Sequence, residues 1–181
     1  MKKQDIRQLY KQKRLDLSPK AVEEGSTRVC DHLKAFLDQP WERVVGYLPM
    51  QNEVDIRPFL DLCASMGKKV FIPVFDQDSG DWKPAQPTPG PSEEGSKKQL
   101  SNPLLGGVGV GWAGSEADLW LVPGIVFDHE GYRIGFGKGI YDRLLKGVSG
   151  LTVGIGYSWQ VIKKIPRDPW DVRLSQLVLK G

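Results

Sequence analysis

The chain has 181 residues with a formal net charge of +3, and 40% of them are hydrophobic and 26% charged. These values are typical of a globular domain with a real core, and the small net charge argues against nucleic-acid binding as the main function. The two cysteines, which lack CxxC spacing, and the two histidines argue against a disulfide framework or a zinc site. No apolar run reaches about 18 residues and the N-terminus is charged, so we expect a cytoplasmic protein without signal peptide or membrane span.

The first predicted element is a helix over residues 2–17 with an apolar stripe at helical spacing. Four basic residues lie on a neighbouring face of this helix: Lys3, Arg7, Lys11 and Arg14. Four like charges in a row repel one another and weaken an isolated helix. Composition alone favours a solvated basic face, and the functional alternative is a cationic wall that faces phosphates.

A second helix is predicted after Ser18, which suits the N-cap, with Pro19 at the first helical position. The next elements are predicted in this order: a buried strand over 43–49, a polar turn over 50–55, a helix over 56–66 that ends at Gly67, and a strand over 69–75. From about 76 to 116 the periodicity fails, and prolines and glycines predict an irregular excursion with a short hairpin around Trp82. Within it, 106–111 is interpreted as a turn, because no strong strand precedes it and no helical pattern follows.

The last third of the chain returns to regular patterns. Strands are predicted over 119–122, 151–157 and 176–179, and a helix that continues to Lys146 follows a glycine-rich segment. Apolar runs that alternate with amphipathic helices predict βαβ units. We therefore expect an α/β fold in one domain over 1–181, with three layers, a mainly parallel central sheet and helices on both faces.

Ligands of such sheets bind beyond the carboxyl ends of the strands. Glu53, the pair Pro123-Gly124, the glycine-rich segment and Tyr157 all follow predicted strands. This topology predicts that one crevice collects these residues.

The glycine-rich segment, residues 131–143, carries glycine at three alternate positions: Gly135, Gly137 and Gly139. Glycine lets the backbone adopt unusual conformations and lets a ligand approach the N–H groups closely. Cations lie within and beside the loop, and a helix is predicted to begin after it, so the segment is interpreted as a phosphate-binding loop. The spacing of its glycines and lysine matches neither the P-loop nor the Rossmann signature.

Four segments in order resemble the 5-formyltetrahydrofolate cyclo-ligase family and cover nearly the whole chain. They are the helix with Lys3-x-x-x-Arg7 and Arg14; Tyr47-Leu48-Pro49-Met50-Gln51-Asn52-Glu53-Val54-Asp55; Leu121 to Asp128 followed by Arg133-Ile134-Gly135-x-Gly137-x-Gly139-x-Tyr141-Asp142-Arg143; and Ile165-Pro166 through Asp171. The glycine-loop motif is highly specific, whereas the N-terminal Lys/Arg spacing alone is weak.

The resemblance implies an enzyme that uses ATP and Mg²⁺ to convert 5-formyltetrahydrofolate into 5,10-methenyltetrahydrofolate, ADP and phosphate, which is the formation of a C–N ring bond. It implies small-molecule substrates, no nucleic-acid or membrane partner, and a monomer. Two other functions stay open from the residues: an ATP-dependent kinase or ligase for another small molecule, and a non-catalytic module that binds folate or RNA.

The resemblance also implies roles for individual residues. The ATP-binding set is Lys3, Arg7, Arg133, Ile134, Gly135, Phe136, Gly137, Lys138, Gly139, Ile140 and Tyr141. The folate-binding set is Leu48, Glu53, Phe136, Gly137, Lys138, Gly139 and Ile140. Arg133 and Lys138 are the catalytic candidates, and Asp142 and Asp171 the magnesium ligands.

Each polar role has a structural alternative: Glu53 as a solvated turn residue, Asp142 in a helix-start salt bridge with Arg143, and Asp171 as a surface aspartate. The sequence also departs from the family pattern at four places: Ile140, Asn102-Pro103, Trp170 and Ser175. These departures concern contacts to the folate more than ATP binding.

Overall fold

A computed structural model describes residues 1–76, 81–85 and 117–181. Its helices are α1 (Lys3–Leu15), α2 (Pro19–Leu33), a 3₁₀ turn (Lys34–Phe36), α3 (Arg57–Ser65) and α4 (Ile140–Leu144). Its strands are β1 (Arg43–Val45), β2 (Lys69–Asp76), β3 (Asp81–Ala85), β4 (Leu119–Pro123), β5 (Val126–Asp128), β6 (Arg133–Ile134), β7 (Leu151–Gly156), β8 (Val161–Ile162) and β9 (Gln176–Leu179).

The central sheet has the strand order β3-β2-β1-β4-β7-β9. All neighbours from β2 to β9 pair in parallel, and only β3 runs antiparallel, against β2. The predicted mainly parallel sheet is therefore confirmed, and the strand around Trp82 pairs as the expected hairpin would. Because parallel strands share one direction, the chain leaves β1 and β4 at the same edge of the sheet, where the site forms.

Apolar residues cover both faces of this sheet. On one face, α2 and α3 bring side chains such as Leu33 and Phe59 against Leu121 of β4. On the other face, Trp120 and Val122 pack with Leu145, which follows α4, and with Phe127 from β5. Helices on both faces confirm the predicted three-layer α/β class, in which both sides of a parallel sheet exclude water.

A second, three-stranded sheet with the order β6-β5-β8 was not predicted. Its strands have only two or three residues, which is too short for an apolar pattern to reveal them. Helix α1 packs on this sheet, because Ile6 lies in one buried cluster with Val126, Ile134 and Ile165. This contact places the basic residues of α1 beside the glycine loop that follows β6.

Several predicted boundaries were wrong. The strand predicted over 43–49 ends at Val45, and the helix predicted to reach Lys146 ends at Leu144. Most of the excursion predicted from about 76 to 116 lies outside the described residues, namely 77–80 and 86–116, with the turn at 106–111 and Asn102-Pro103. None of the helices in the described part is long and apolar enough to cross a membrane.

Candidate active site

A cavity of about 550 Å³ opens where the chain leaves β1 and β4. Its wall includes every residue of the predicted site: Lys3, Arg7, Leu48, Glu53, Arg133, Ile134, Gly135, Phe136, Gly137, Lys138, Gly139, Ile140, Tyr141, Asp142 and Asp171. The expected crevice thus forms, and Pro123-Gly124 lies in it as well. Tyr157 does not line this cavity, since it is buried behind the turn at 50–53 and its hydroxyl donates to the carbonyl of Asn52.

The glycine loop owes its shape to two glycines with positive φ, Gly137 at +95° and Gly139 at +63°. These values are strained for residues with a Cβ. Arg7 of α1 holds the loop by donating from Nε to the carbonyl of Gly135 at 2.8 Å, and a Cβ on Gly137 would lie 3.4 Å from the Arg7 guanidinium. Because α4 has only five residues, its dipole is small, so the side chains supply most of the positive charge here.

The loop's cations differ in exposure. Arg133 is buried and donates from Nη2 to Oδ1 of Asp142 at 3.0 Å. Burial lowers the pKa of Arg133, whereas Asp142, Tyr141 and Asp171 raise it, and an arginine stays charged in any case. Lys138 is exposed at the cavity, and its side chain has no hydrogen-bond or ion-pair partner within the described residues. The same segment therefore carries one buried, paired cation and one exposed cation whose side chain has no partner in the described part of the chain.

Lys3 lies between two carboxylates near the C-terminus. Its Nζ donates to Oδ2 of Asp168 at 2.7 Å and to Oδ2 of Asp171. Burial lowers the pKa of Lys3, but these two hydrogen bonds outweigh burial, so the pKa lies above its ordinary value. The amide of Asp168 also donates to Asp171, whose side chain is only 10% exposed, so Asp171 is not a plain surface aspartate.

Glu53 lies in the turn after β1 and is 5% exposed, which rules out the solvated-turn alternative. Its Oε2 accepts the amide N–H of Met50 at 3.0 Å, and its Oε1 lies 3.5 Å from Nη1 of the buried Arg14. Burial raises the pKa of Glu53, while Arg14 and the Met50 amide lower it. The result is a fixed carboxylate at the wall of a mainly apolar cavity that includes Leu48 and Tyr47.

The carboxylates can be tested for their fit to magnesium. Asp142 bonds to Arg133 and Asp171 bonds to Lys3, and both carboxylates line the same cavity. Within the described residues, no three His, Cys, Asp or Glu side chains form a ready metal cage. Magnesium commonly takes one or two carboxylates and completes its shell with water and phosphate oxygens, so Asp142 and Asp171 fit it.

The site also includes residues to which sequence reasoning assigned no role. Asp168 and Trp170 line the cavity beside Asp171, Met50 lines it beside Glu53, and Arg14 supports Glu53 from behind. Arg14 belongs to the basic stripe of α1 and to the N-terminal segment that resembles the family, but neither signal gave it a role, and it is fully buried rather than solvated. Ser175, another departure from the family pattern, instead bonds to Thr152 and joins β7 to β9.

Comparisons with known proteins point to one family. The sequence model of the 5-formyltetrahydrofolate cyclo-ligase family matches residues 1–180. A 5-formyltetrahydrofolate cyclo-ligase of Escherichia coli is 25% identical over 175 residues, covering 94% of this chain and 96% of the relative. One from Mus musculus is 29% identical over 149 residues, covering 76% and 72%.

Two solved structures share the fold. A 5,10-methenyltetrahydrofolate synthetase from Mycoplasma pneumoniae superposes with a TM-score of 0.78 at 25% identity, covering 98% of both chains. The synthetase of that name from Aquifex aeolicus gives 0.77 at 33% identity, covering 99% of this chain and 90% of the other. The motif-based prediction is confirmed: the chain belongs to the 5-formyltetrahydrofolate cyclo-ligase family of enzymes.

Proposed function

We propose that this protein catalyses the ATP- and Mg²⁺-dependent cyclisation of 5-formyltetrahydrofolate to 5,10-methenyltetrahydrofolate, with release of ADP and phosphate. The observation that carries the proposal is one cavity whose wall combines the cationic glycine loop with the buried carboxylate Glu53. The loop suits the phosphates of a nucleotide, and the carboxylate suits the N–H groups of a pterin. Family membership supports the activity, and the site roles rest on this placement.

The formamide carbonyl of 5-formyltetrahydrofolate is a poor electrophile, and its oxygen is a poor leaving group. The first step therefore activates this oxygen. The formyl oxygen attacks the γ-phosphorus of ATP, an O–P bond forms, and the bond to ADP breaks. Phosphoryl transfer depends mainly on positioning and charge neutralisation. Lys138, which is exposed at the cavity, neutralises charge on the transferred phosphoryl group, while Arg133 provides a fixed positive charge that Asp142 orients. Arg7 and Lys3 bind the nucleotide phosphates from the direction of α1.

The second step closes the ring on the phosphorylated iminium. N10 of the folate attacks the formyl carbon and loses its proton, and the C–O bond breaks to release phosphate. Glu53 holds the pterin for this attack by accepting its N–H groups, and Leu48 packs on the ring. Magnesium, which Asp142 and Asp171 would hold, neutralises phosphate charge when it is bound.

The experiment is an ultraviolet assay for the methenyl product, run with 5-formyltetrahydrofolate in the presence and absence of ATP and magnesium. We expect product only when all three are present, together with one equivalent of ADP. Folded protein that forms no ATP-dependent product would overturn the proposal. ADP release stimulated by a different small molecule, but not by the folate, would instead identify a kinase or ligase with another acceptor.

A further inference from the structure

Arg14 is a buried arginine whose role the proposed mechanism does not explain. It belongs to α1, its side chain is 1% exposed, and it lies behind the cavity rather than in its wall. A buried charge is costly unless other groups compensate it. The hydrogen bonds of Arg14 therefore identify the groups that compensate its charge.

Those contacts join two chain segments of the site. Nε donates to the carbonyl of Gln51 at 3.0 Å, and Nη1 donates to the carbonyl of Gly124 at 3.2 Å. The same Nη1 lies 3.5 Å from Oε1 of Glu53. The arginine thus ties the turn that carries Glu53 to the turn after β4 and places its charge beside the Glu53 carboxylate.

The turn that carries Glu53 needs such support, because its backbone is unusual. Gln51 and Asn52 both have positive φ, at 50° and 58°, which disfavours residues other than glycine. The side-chain amide of Asn52 donates to the last carbonyls of α1, including that of Arg14 at 3.2 Å. Helix α1 therefore fixes this turn by two routes, one through Asn52 and one through Arg14.

The remaining nitrogen of Arg14, Nη2, is buried and has no hydrogen-bond partner within the described residues. The ring of Phe136 lies with its centroid 5.4 Å from the Arg14 Cζ, so the aromatic face partly compensates this charge. An arginine kept with one donor unpaired is poorly explained by stability alone, since a neutral side chain would avoid that cost.

We propose that Arg14 is a positioning residue of the folate subsite, which supplies the countercharge and the fixed geometry that let Glu53 accept the pterin N–H groups. This inference rests on the proposed function, because it assumes that the pterin binds at Glu53. Arg14 acts through Glu53 and does not touch the substrate.

The proposal predicts a pH dependence of folate binding. The charged and titratable groups around Glu53 are Arg14 from α1, Tyr47 after β1, Tyr141 from α4 and Tyr157 after β7. Burial raises the pKa of all three tyrosines, so they stay neutral and Arg14 is the cation that opposes protonation of Glu53. Loss of that cation shifts protonation of Glu53 to higher pH, and the neutral acid accepts the pterin poorly.

The experiment compares the full-length protein with Arg14→Met, Arg14→Lys and Glu53→Gln, and measures affinities for 5-formyltetrahydrofolate and for ATP between pH 5 and 8. For Arg14→Met we expect folate affinity at pH 7 to fall at least about tenfold, and the pH midpoint of folate binding to rise by about one unit or more. The KM for ATP should change by less than about twofold. Lys11→Met is the matched control, since it removes one positive charge from the same helix outside the cavity.

Arg14→Lys separates charge from geometry and also covers the case in which Arg14→Met does not fold. Lysine keeps the charge but lacks the guanidinium fork that reaches Gln51 and Gly124. We expect its pH midpoint to stay near that of the wild type and its folate affinity to fall several-fold.

If either Arg14 variant keeps both the folate affinity and the pH midpoint of the wild type, while Glu53→Gln weakens folate binding, this inference is overturned. The proposed function would then stay intact. Equal losses of ATP and folate affinity would also overturn it, because they indicate general structural damage. A wild-type protein that binds no folate would contradict both proposals.

Discussion

At the scale of single residues, the site combines side chains that the chain brings from distant positions. Lys3 contacts Asp168 and Asp171, more than 160 residues away along the chain, and Arg14 contacts Glu53. Several of the charged groups are held by partners of opposite charge, whereas Arg7 donates to a backbone carbonyl and the side chain of Lys138 has no partner within the described residues. A cation without a partner can follow a charge that moves during the reaction, which makes Lys138 the residue to test first.

We expect Lys138→Ala to lower turnover by a factor of roughly 10² or more, because the lost charge acts on the transferred phosphoryl group. Steady-state kinetics of the methenyl product would show the loss in kcat. Lys146→Ala is the control, since Lys146 is exposed two residues beyond α4 and does not line the cavity. Normal turnover in Lys138→Ala would remove this residue from the mechanism.

Titration with magnesium can distinguish the two proposed magnesium ligands from the carboxylate beside them. We expect Asp171→Asn and Asp142→Asn to raise the magnesium concentration for half-maximal activity by about tenfold or more, since each removes a charged oxygen ligand. Asp168 also contacts Lys3 but is more exposed, at 43%, and Asp168→Asn should shift this concentration by less than about twofold. If Asp168→Asn has the larger effect, the ligand assignment at this end of the chain is wrong.

At the scale of elements, the sequence predicted those whose apolar pattern is long enough to be distinctive. Helix α2 begins at Pro19 as expected, with Ser18 accepting from the amide of Ala21, and β9 has the predicted bounds. The small sheet of β5, β6 and β8 was not predicted, because its strands are too short to show a periodicity. The sheet is defined by the pairing of β5 with β6 and with β8. Its position nevertheless decides where the glycine loop lies.

Asp128 shows how a single buried side chain organises that small sheet. Its carboxylate accepts the amides of Glu130, Tyr132 and Ile165, each at 3.0 Å, and so fixes both the turn before the glycine loop and the segment that leads to Asp171. We expect Asp128→Ala to destabilise the protein by about 3 kcal/mol or more, because buried donors lose their acceptor. Denaturant unfolding would measure this loss. Glu130→Ala, which removes only exposed ion pairs, should cost less than about 1 kcal/mol.

The glycine loop allows backbone conformation to be distinguished from ligand contact. At φ +95°, Gly137→Ala forces an unfavourable conformation and places a Cβ against Arg7, so we expect ATP affinity to fall about tenfold or more. Gly67→Ala is the matched control: Gly67 also has positive φ, at +80°, but lies after α3 and outside the cavity. It should lose roughly 1 kcal/mol of stability and retain turnover. Equal loss of ATP affinity in both variants would contradict a local role for Gly137.

At the scale of the whole molecule, the candidate site was easier to predict than the residues that support it. Every residue that the family resemblance assigned to the site lines the cavity, although these residues come from α1, the turn after β1, the glycine loop with α4, and the C-terminal segment. Arg14, Asp168 and Trp170 were missed, since their positions depend on how α1 and the C-terminal segment pack against the rest. The sequence pattern of an isolated helix cannot show which of its charges becomes buried.

Because α1, the glycine loop and the C-terminal segment all contribute to the wall of this cavity, ligands that bridge them should stabilise the entire fold. Ligand at about a hundred times its Kd stabilises the native state by about 2.7 kcal/mol, which for a chain of this size raises Tm by about 5–10 °C. We expect MgATP and 5-formyltetrahydrofolate each to raise Tm in calorimetry, in one cooperative transition if the chain forms one domain. Glu53→Gln should abolish most of the rise with the folate and retain the rise with MgATP. A folate-induced rise that persists in Glu53→Gln would place the pterin elsewhere in the molecule.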